Sequence, residues 1–159
     1  MLCNGAIAWS AKDLTIIPTS TCEAETATGS RATKDTLFAR ELNIQNGRAI
    51  SNSTSTLGDN KAMFDLIRHE GASVRTRFYE RCTMFIKRAV LLLILRPYLV
   101  ATEYMIADIF TKATDRGTYF KFRNVIMNMN GGLRANLERS LSAVHGAAAR
   151  AVTRLMDCL

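Results

Sequence analysis

Residues 75–97, RTRFYERCTMFIKRAVLLLILRP, predict a helix that leads into a buried strand. Apolar side chains recur at helical spacing in the first part, which predicts a helix from Arg75 to about Ala89. These side chains are Phe78, Cys82, Phe85, Ile86 and Ala89. The run Leu91–Leu95 is apolar, continuous and short, as in a buried strand, and Arg96-Pro97 should end it. This segment therefore supplies both kinds of element of an α/β fold.

Two shorter helices are predicted on either side of this segment. The polar pair Asp59-Asn60 opens the first, which extends to about His69 and ends at Gly71. One apolar side is predicted for it, formed by Ala62, Met63, Leu66 and Ile67. Thr102-Glu103 precedes the second helix, over 104–111, as a capping pair.

The longest predicted helix lies nearer the start of the chain, from about Cys22 to Leu42. Hydroxyl side chains at positions 19–21 can cap its first turn, and Gly29 weakens its middle. Its small and apolar positions are Ala24, Ala27, Leu37 and Leu42. The preceding residues, 5–17, are typical of a strand or hairpin that is broken at Lys12-Asp13.

The character of the sequence changes after Asn130. Gly131-Gly132 introduces a segment, 131–159, in which apolar residues recur at three- and four-residue steps. We expect an amphipathic helical tail there, attached to a domain that covers 1–130. Such a face packs on its own domain or on a second copy more often than on a membrane surface, so self-association through the tail is one expected interaction.

Composition limits the protein to a few broad classes. The chain has 159 residues, 48% of them hydrophobic, which is enough for one globular domain. Its 21 Lys and Arg against 14 Asp and Glu give a formal charge of +7, which favours a polyanionic partner or simply solubility. The four cysteines lack metal-ligand and redox spacing. The apolar run 89–95 is far short of the roughly 20 residues that cross a bilayer, so we expect a cytoplasmic or nuclear protein without a membrane partner.

Several ordered segments carry a resemblance to a known family. They are GAIAWSAK at 5–12, STCEAE at 20–25, ATK at 32–34, GDN at 58–60, RTR at 75–77, FIK at 85–87, TE at 102–103 and IADIFTK at 106–112. In this order they resemble the ribonuclease H domain of copia-type retrotransposon Pol polyproteins. Phe120 and Phe122 also fall where that family has a Phe after its last motif. The resemblance covers roughly Gly5 to Asn130.

The resemblance implies a mixed sheet flanked by helices, with the first strand at the centre. Here the first strand and most of the second are expected to be missing, which predicts a partial, helix-rich ribonuclease H-like fold with a C-terminal amphipathic helix. A strand is also implied at Ala49–Leu57, although the polar residues 51–56 suit a central strand poorly. A missing strand leaves backbone groups of its neighbours unpaired, so repacking or pairing with another chain is expected.

The same resemblance implies a phosphodiesterase site with two metal ions. Hard cations such as Mg²⁺ or Mn²⁺ take oxygen ligands, so clustered carboxylates are what this chemistry needs. By resemblance the catalytic and metal-binding residues are Glu25, Asp59 and Asp108, with Glu23 as the alternative to Glu25 because Cys22 shifts the register. The residue types alone fit a first-turn helix acid, a helix N-cap and a surface residue equally well.

The implied substrate is the RNA strand of an RNA–DNA hybrid, which proteins recognise by groove shape, phosphates and 2′-hydroxyls. The expected phosphate contacts, which fit a solvated helix face equally well, are Arg75, Arg77, Arg81, Lys87 and Arg88. Because the aspartate of the first strand is missing, we expect hydrolysis to be impaired. The alternatives are a non-catalytic nucleic-acid-binding relic and a helix-mediated protein-interaction module.

Overall fold

The computed structural model describes residues 6, 8–11, 14–15, 17–68 and 79–129. These residues are mostly helical and contain a small sheet, so the expected α/β class is confirmed. The elements in chain order are α1 (Thr21–Gln45), β1 (Thr54–Gly58), α2 (Lys61–Arg68), α3 (Glu80–Leu91), β2 (Leu95–Leu99), two 3-10 helices (Thr102–Tyr104 and Ile106–Phe110) and α4 (Arg116–Ile126). The predicted C-terminal helix, 131–159, lies outside the described residues.

The described residues divide into two compact units. The first covers Leu14–Leu99, and the second contains the described parts of Met1–Asp13 and Val100–Leu159. The first unit therefore holds α1, α2, α3 and both strands. The 3-10 helices and α4 belong to the second unit.

The sheet of the first unit is a parallel pair of strands. β1 and β2 are aligned from Thr54 opposite Leu95 to Gly58 opposite Leu99. A parallel pair needs a long crossover, which here runs through α2 and α3. A mixed sheet was expected, but the described residues contain this parallel pair alone. β1 is also shorter than the predicted strand at Ala49–Leu57, because pairing starts only where the Thr54 amide donates to the Ile94 carbonyl at 2.8 Å.

The predicted strand at Leu91–Leu95 is wrong. α3 continues to Leu91, and the chain then turns with Leu93 at φ 54° while the Ile94 amide donates to the Ala89 carbonyl at 3.0 Å. The strand that follows contains Arg96 and Pro97, which were expected to end it. A strand with a neighbour on one side uses only alternate N–H groups, so a proline is tolerated where no donor is needed.

The core of the first unit is formed by Met63, Phe64, Ile67 and Ile86, with Cys22, Val90 and Leu99 packed against it. Two of the predicted positions on α2, Met63 and Ile67, are buried as expected. Ala62 was expected to face the core but is exposed, and Phe64 is the most buried side chain of α2, at 1% exposure. The helix is only eight residues long, so a difference of one position decides which side chains reach the core.

The longest helix, α1, packs mainly on α3. Its buried side chains are all polar, namely Glu23, Thr26, Ser30 and Thr33, whereas the predicted core position Leu42 is exposed. The buried residues of α3 are Thr83, Ile86 and Ala89. Small side chains on both helices permit a close approach that large apolar residues would prevent.

In the second unit, the predicted helix over 104–111 is replaced by the 3-10 helices Thr102–Tyr104 and Ile106–Phe110. The second of these packs against α4, whose buried residues are Phe122 and Val125. The Asp115 side chain caps α4, because its Oδ2 accepts hydrogen bonds from the Gly117 and Thr118 amides at 2.8 and 3.0 Å.

The start of the chain was predicted to be strand material. Within 5–17, the positions that the structure describes form no strand, and the Ala6 amide donates to the Ile126 carbonyl at 2.9 Å. Among the helices in the described ranges, none is long and apolar enough to cross a membrane.

Candidate site at the end of strand β1

Asp59 lies directly after the carboxyl end of β1 and before the first residue of α2. Its neighbour Asn60 caps the helix, because the Asn60 Oδ1 accepts a hydrogen bond from the Met63 amide at 3.0 Å. Asn60 thus performs the capping role that was an alternative explanation for Asp59. Asp59 is half-buried. The carboxyl ends of parallel strands are where ligands bind in open α/β sheets, so Asp59 has a position suited to binding.

The backbone at this strand end is held against the core. A Cβ atom at Gly58 would lie 2.9 Å from Cε2 of Phe64, so only glycine lets the strand approach that ring without a shift. Phe64 is the most buried side chain of α2. The chain at Gly58 and the first turn of α2 are therefore fixed together, and Asp59 lies between them.

Glu25 is the exposed carboxylate on the first turns of α1. Gly29, one helical turn later, would place a Cβ 3.4 Å from the Met63 sulfur, and Met63 is one turn after Asp59. The first half of α1 therefore packs beside α2. The structure thus brings two of the three predicted site residues, Glu25 and Asp59, to neighbouring elements of one unit.

Glu23, the alternative to Glu25, has a different role. It is buried, and its Oε2 accepts hydrogen bonds from the Thr19 amide at 2.7 Å and the Thr19 hydroxyl at 2.8 Å. Its own amide donates to Ser20 Oγ at 3.1 Å, so Ser20 and Glu23 form a capping arrangement around the first turn of α1. The backbone and hydroxyl donors of Thr19 lower the pKa of Glu23.

A neutral hydroxyl group lies next to this capping arrangement. The Tyr79 hydroxyl donates to Cys22 Sγ at 3.9 Å. Burial raises the pKa of Tyr79, and the Cys22 thiol and the Glu23 carboxylate act in the same direction. Tyr79 therefore stays protonated at neutral pH and remains a donor near the start of α1.

Asp108, the third predicted ligand, belongs to the second unit. It lies on the 3-10 helix Ile106–Phe110, and its Oδ2 forms an ion pair with Lys112 Nζ at 2.8 Å. In the parts of the chain that the structure describes, no three His, Cys, Asp or Glu side chains form a group that could hold a metal ion. Glu25 and Asp59 share one unit, and Asp108 lies in the other.

The structure describes three of the five residues that were predicted to contact phosphate. Arg81 and Arg88 are exposed on α3, two turns apart, and Lys87 is half-buried. Met84, between the two arginines, is 56% exposed. Arg75 and Arg77 lie outside the described residues. The described part of this surface is therefore a helix face with two exposed guanidinium groups.

Sequence reasoning missed α4, whose sequence RGTYFKFRNVI combines three basic and three aromatic residues. The signal for the helix was Asp115 followed by Phe122 and Val125 at i+7 and i+10, which is the pattern of a capped helix with one buried face.

Comparison with known proteins adds no relative: no family model, curated protein or solved structure matches this chain.

Proposed function

We propose that this chain is a remnant of the ribonuclease H domain of a copia-type retrotransposon Pol polyprotein. The ancestral reaction of such a domain is metal-dependent hydrolysis of the RNA strand of an RNA–DNA hybrid. The observation that supports this best is the position of Asp59 at the carboxyl end of a parallel strand, with Glu25 on the neighbouring helix α1. A two-metal site draws carboxylates from distant parts of a chain, and Glu25 and Asp59 belong to neighbouring elements of one unit.

The residues proposed to hold Mg²⁺ or Mn²⁺ are Glu25 and Asp59, both from the first unit. The ion would activate a water molecule and neutralise charge on the leaving oxygen. Glu23 is less suited to this role than Glu25, because its carboxylate is buried and accepts two hydrogen bonds from Thr19. Asp108 belongs to the second unit, where it is paired with Lys112.

Hydrolysis is proposed to be impaired in this chain. The family resemblance calls for an aspartate on a strand of the sheet, and neither of the two described strands, β1 and β2, carries one. Fewer carboxylates mean weaker metal binding, and weaker charge neutralisation raises the barrier to phosphodiester cleavage. We therefore expect at most slow, metal-dependent cleavage.

The experiment is cleavage of a labelled RNA–DNA hybrid in Mg²⁺ or Mn²⁺ by the full chain, compared with the Asp59→Asn and Asp35→Asn variants. Asp35 is an exposed carboxylate on α1 and serves as the matched control. Cleavage that is lost in Asp59→Asn and kept in Asp35→Asn supports the site. Equal cleavage by all three proteins indicates a contaminating nuclease and contradicts it.

A second candidate, a non-catalytic nucleic-acid binder, is favoured by the exposed pair Arg81 and Arg88 on α3. For such a protein, Asp59→Asn keeps or improves affinity for the hybrid, because it removes a negative charge. Absence of cleavage by a folded sample, with salt-sensitive hybrid binding that weakens in Arg81→Gln, would assign this second function.

A further inference from the structure

The exposed face of α4 combines aromatic rings with guanidinium groups. Arg116, Phe120, Arg123 and Met127 follow one another at intervals of four, three and four residues, so they share one side of the helix. Phe120 is 38% exposed, and Tyr119 beside it is 43% exposed. The opposite side of the helix carries the buried Phe122 and Val125.

Phe120 lies between two cations. The guanidinium carbon of Arg123 is 4.7 Å from the centroid of the Phe120 ring, and that of Arg116 is 5.7 Å away. The ring of Tyr119 meets the Phe120 ring edge-on, with centroids 5.7 Å apart. These contacts hold the two arginines over the ring, so less side-chain entropy remains to be lost when they bind a ligand.

A third cation of α4 lies on a different side of the helix. Lys121 Nζ lies 5.1 Å from the centroid of the Tyr104 ring and donates to the Glu103 carbonyl at 3.2 Å. α4 itself contains no carboxylate. The Asp115 carboxylate at its start accepts hydrogen bonds from the Gly117 and Thr118 amides, and Asp108 is paired with Lys112. The charge of this face is therefore positive.

We propose that this face, formed by Arg116, Tyr119, Phe120 and Arg123, binds single-stranded nucleic acid. The exposed ring of Tyr119 and the guanidinium planes of Arg116 and Arg123, which Phe120 supports, offer stacking surfaces for unpaired bases, and the same cations offer contacts to phosphates. A duplex presents its phosphates but keeps its bases stacked on one another. It can therefore contact the cations of this face but cannot stack its bases on it. The surface belongs to the second unit and does not depend on the carboxylates proposed for hybrid hydrolysis.

The test is fluorescence anisotropy of a labelled 12-nucleotide oligouridine with the full chain. An abasic strand of the same length carries the phosphates without the bases, and poly-glutamate is the acidic polypeptide competitor. We expect the abasic strand to bind at least about tenfold more weakly, because base stacking on an aromatic ring contributes about 5- to 150-fold in affinity. Poly-glutamate should fail to displace oligouridine.

Phe120→Leu is the central variant, since it removes the ring and keeps an apolar side chain at a half-exposed position. It should weaken oligouridine binding about tenfold, while Arg116→Gln should lower the dependence of log affinity on log salt by about 0.7. Arg31→Gln, at an exposed position of α1 in the other unit, is the matched control and should change affinity less than about twofold. Circular dichroism checks that each variant keeps its helix content.

The proposal is overturned by any of three results. Oligouridine and the abasic strand could bind equally, which would mean that only charge is recognised. Phe120→Leu and Arg116→Gln could both match the unaltered protein. Displacement by poly-glutamate at equal charge concentration would assign the face to acidic protein segments instead.

Discussion

The first half of α1 buries polar side chains, whereas the second half exposes apolar ones. The first half buries Glu23, Thr26, Ser30 and Thr33, whereas the second half exposes Phe38, Leu42 and Ile44 at 66%, 42% and 53%. Hydrophobicity alone would predict the reverse. Along this helix, the closeness of the neighbouring helices, rather than residue polarity, decides which side chains are buried.

The polar residues of the first half are buried at little cost because their hydroxyl groups are satisfied within the helix. Thr26 Oγ1 donates to the Cys22 carbonyl at 2.7 Å, and Thr33 Oγ1 donates to the Gly29 carbonyl at 2.8 Å. The Gly29 backbone is close enough to α2 and α3 that an added Cβ would contact both Met63 and Ile86. A small side chain is therefore required on this part of the helix.

The second half of α1 is held in place by hydrogen bonds from one arginine instead. Arg40 Nη1 donates to the Asn52 carbonyl at 2.8 Å and to Thr54 Oγ1 at 3.0 Å, which links the helix to the start of β1. This contact leaves the apolar side chains of the last turns in solvent. Stability of the first unit should therefore depend on the first half of α1 and its neighbours far more than on the second half.

The largest expected difference is between two phenylalanines. Phe64→Ala removes a ring that is 1% exposed at the centre of the core and should lower the free energy of unfolding by about 3–5 kcal/mol. Phe38→Ala makes the same chemical change at a 66% exposed position and should stay within about 0.5 kcal/mol. Urea denaturation measures both, and similar losses for the two variants would contradict the assigned core.

A smaller difference is expected between the two halves of α1 themselves. Thr26 is fully buried, so Thr26→Leu forces extra volume between packed helices and should cost about 1–3 kcal/mol. Leu42→Gln changes an exposed position in the second half and should stay within about 0.5 kcal/mol. Urea denaturation of both variants tests this difference. If Thr26→Leu were neutral or stabilising, the close packing of the first half would be ruled out.

Sequence reasoning located the helices of the first unit well because their signals are local. The helix predicted from Cys22 to Leu42 spans Thr21–Gln45 in the structure, and the helix predicted to begin at Asp59-Asn60 spans Lys61–Arg68. Hydroxyl and amide caps followed by helical periodicity suffice for such elements. The side of α1 that is buried was missed, since it depends on how closely α3 approaches.

The strand errors have a different cause. A run of five apolar residues fits a strand or the end of a helix, and Leu91–Leu95 is divided between both, with α3 ending at Leu91 and β2 beginning at Leu95. The site shows the same limit. Sequence motifs selected Glu25, Asp59 and Asp108, but only packing decides that the first two share a unit and that Asp108 lies in the other.

The smallest expected effect is a pH dependence from Glu23, the one ionisable residue on the buried side of α1. The Thr19 backbone amide and hydroxyl lower its pKa, so the folded protein holds this proton less tightly than the unfolded chain does. This stabilisation is present above the unfolded pKa of about 4.3 and is lost as pH falls through the lower pKa of the folded state. The free energy of unfolding should therefore fall in acid.

Glu23→Gln removes this contribution and should flatten the pH dependence, while glutamine still suits the capping position at neutral pH. Thr19→Val keeps the backbone donor and deletes the hydroxyl, so it should give an intermediate slope. Asp115 in the other unit acts with the same sign, because Thr118 and Gly117 lower its pKa, so part of the dependence must survive in both variants. Urea denaturation between pH 3 and 6 measures the three slopes. An unchanged slope in Glu23→Gln would show that the cap at the start of α1 contributes nothing to the acid sensitivity.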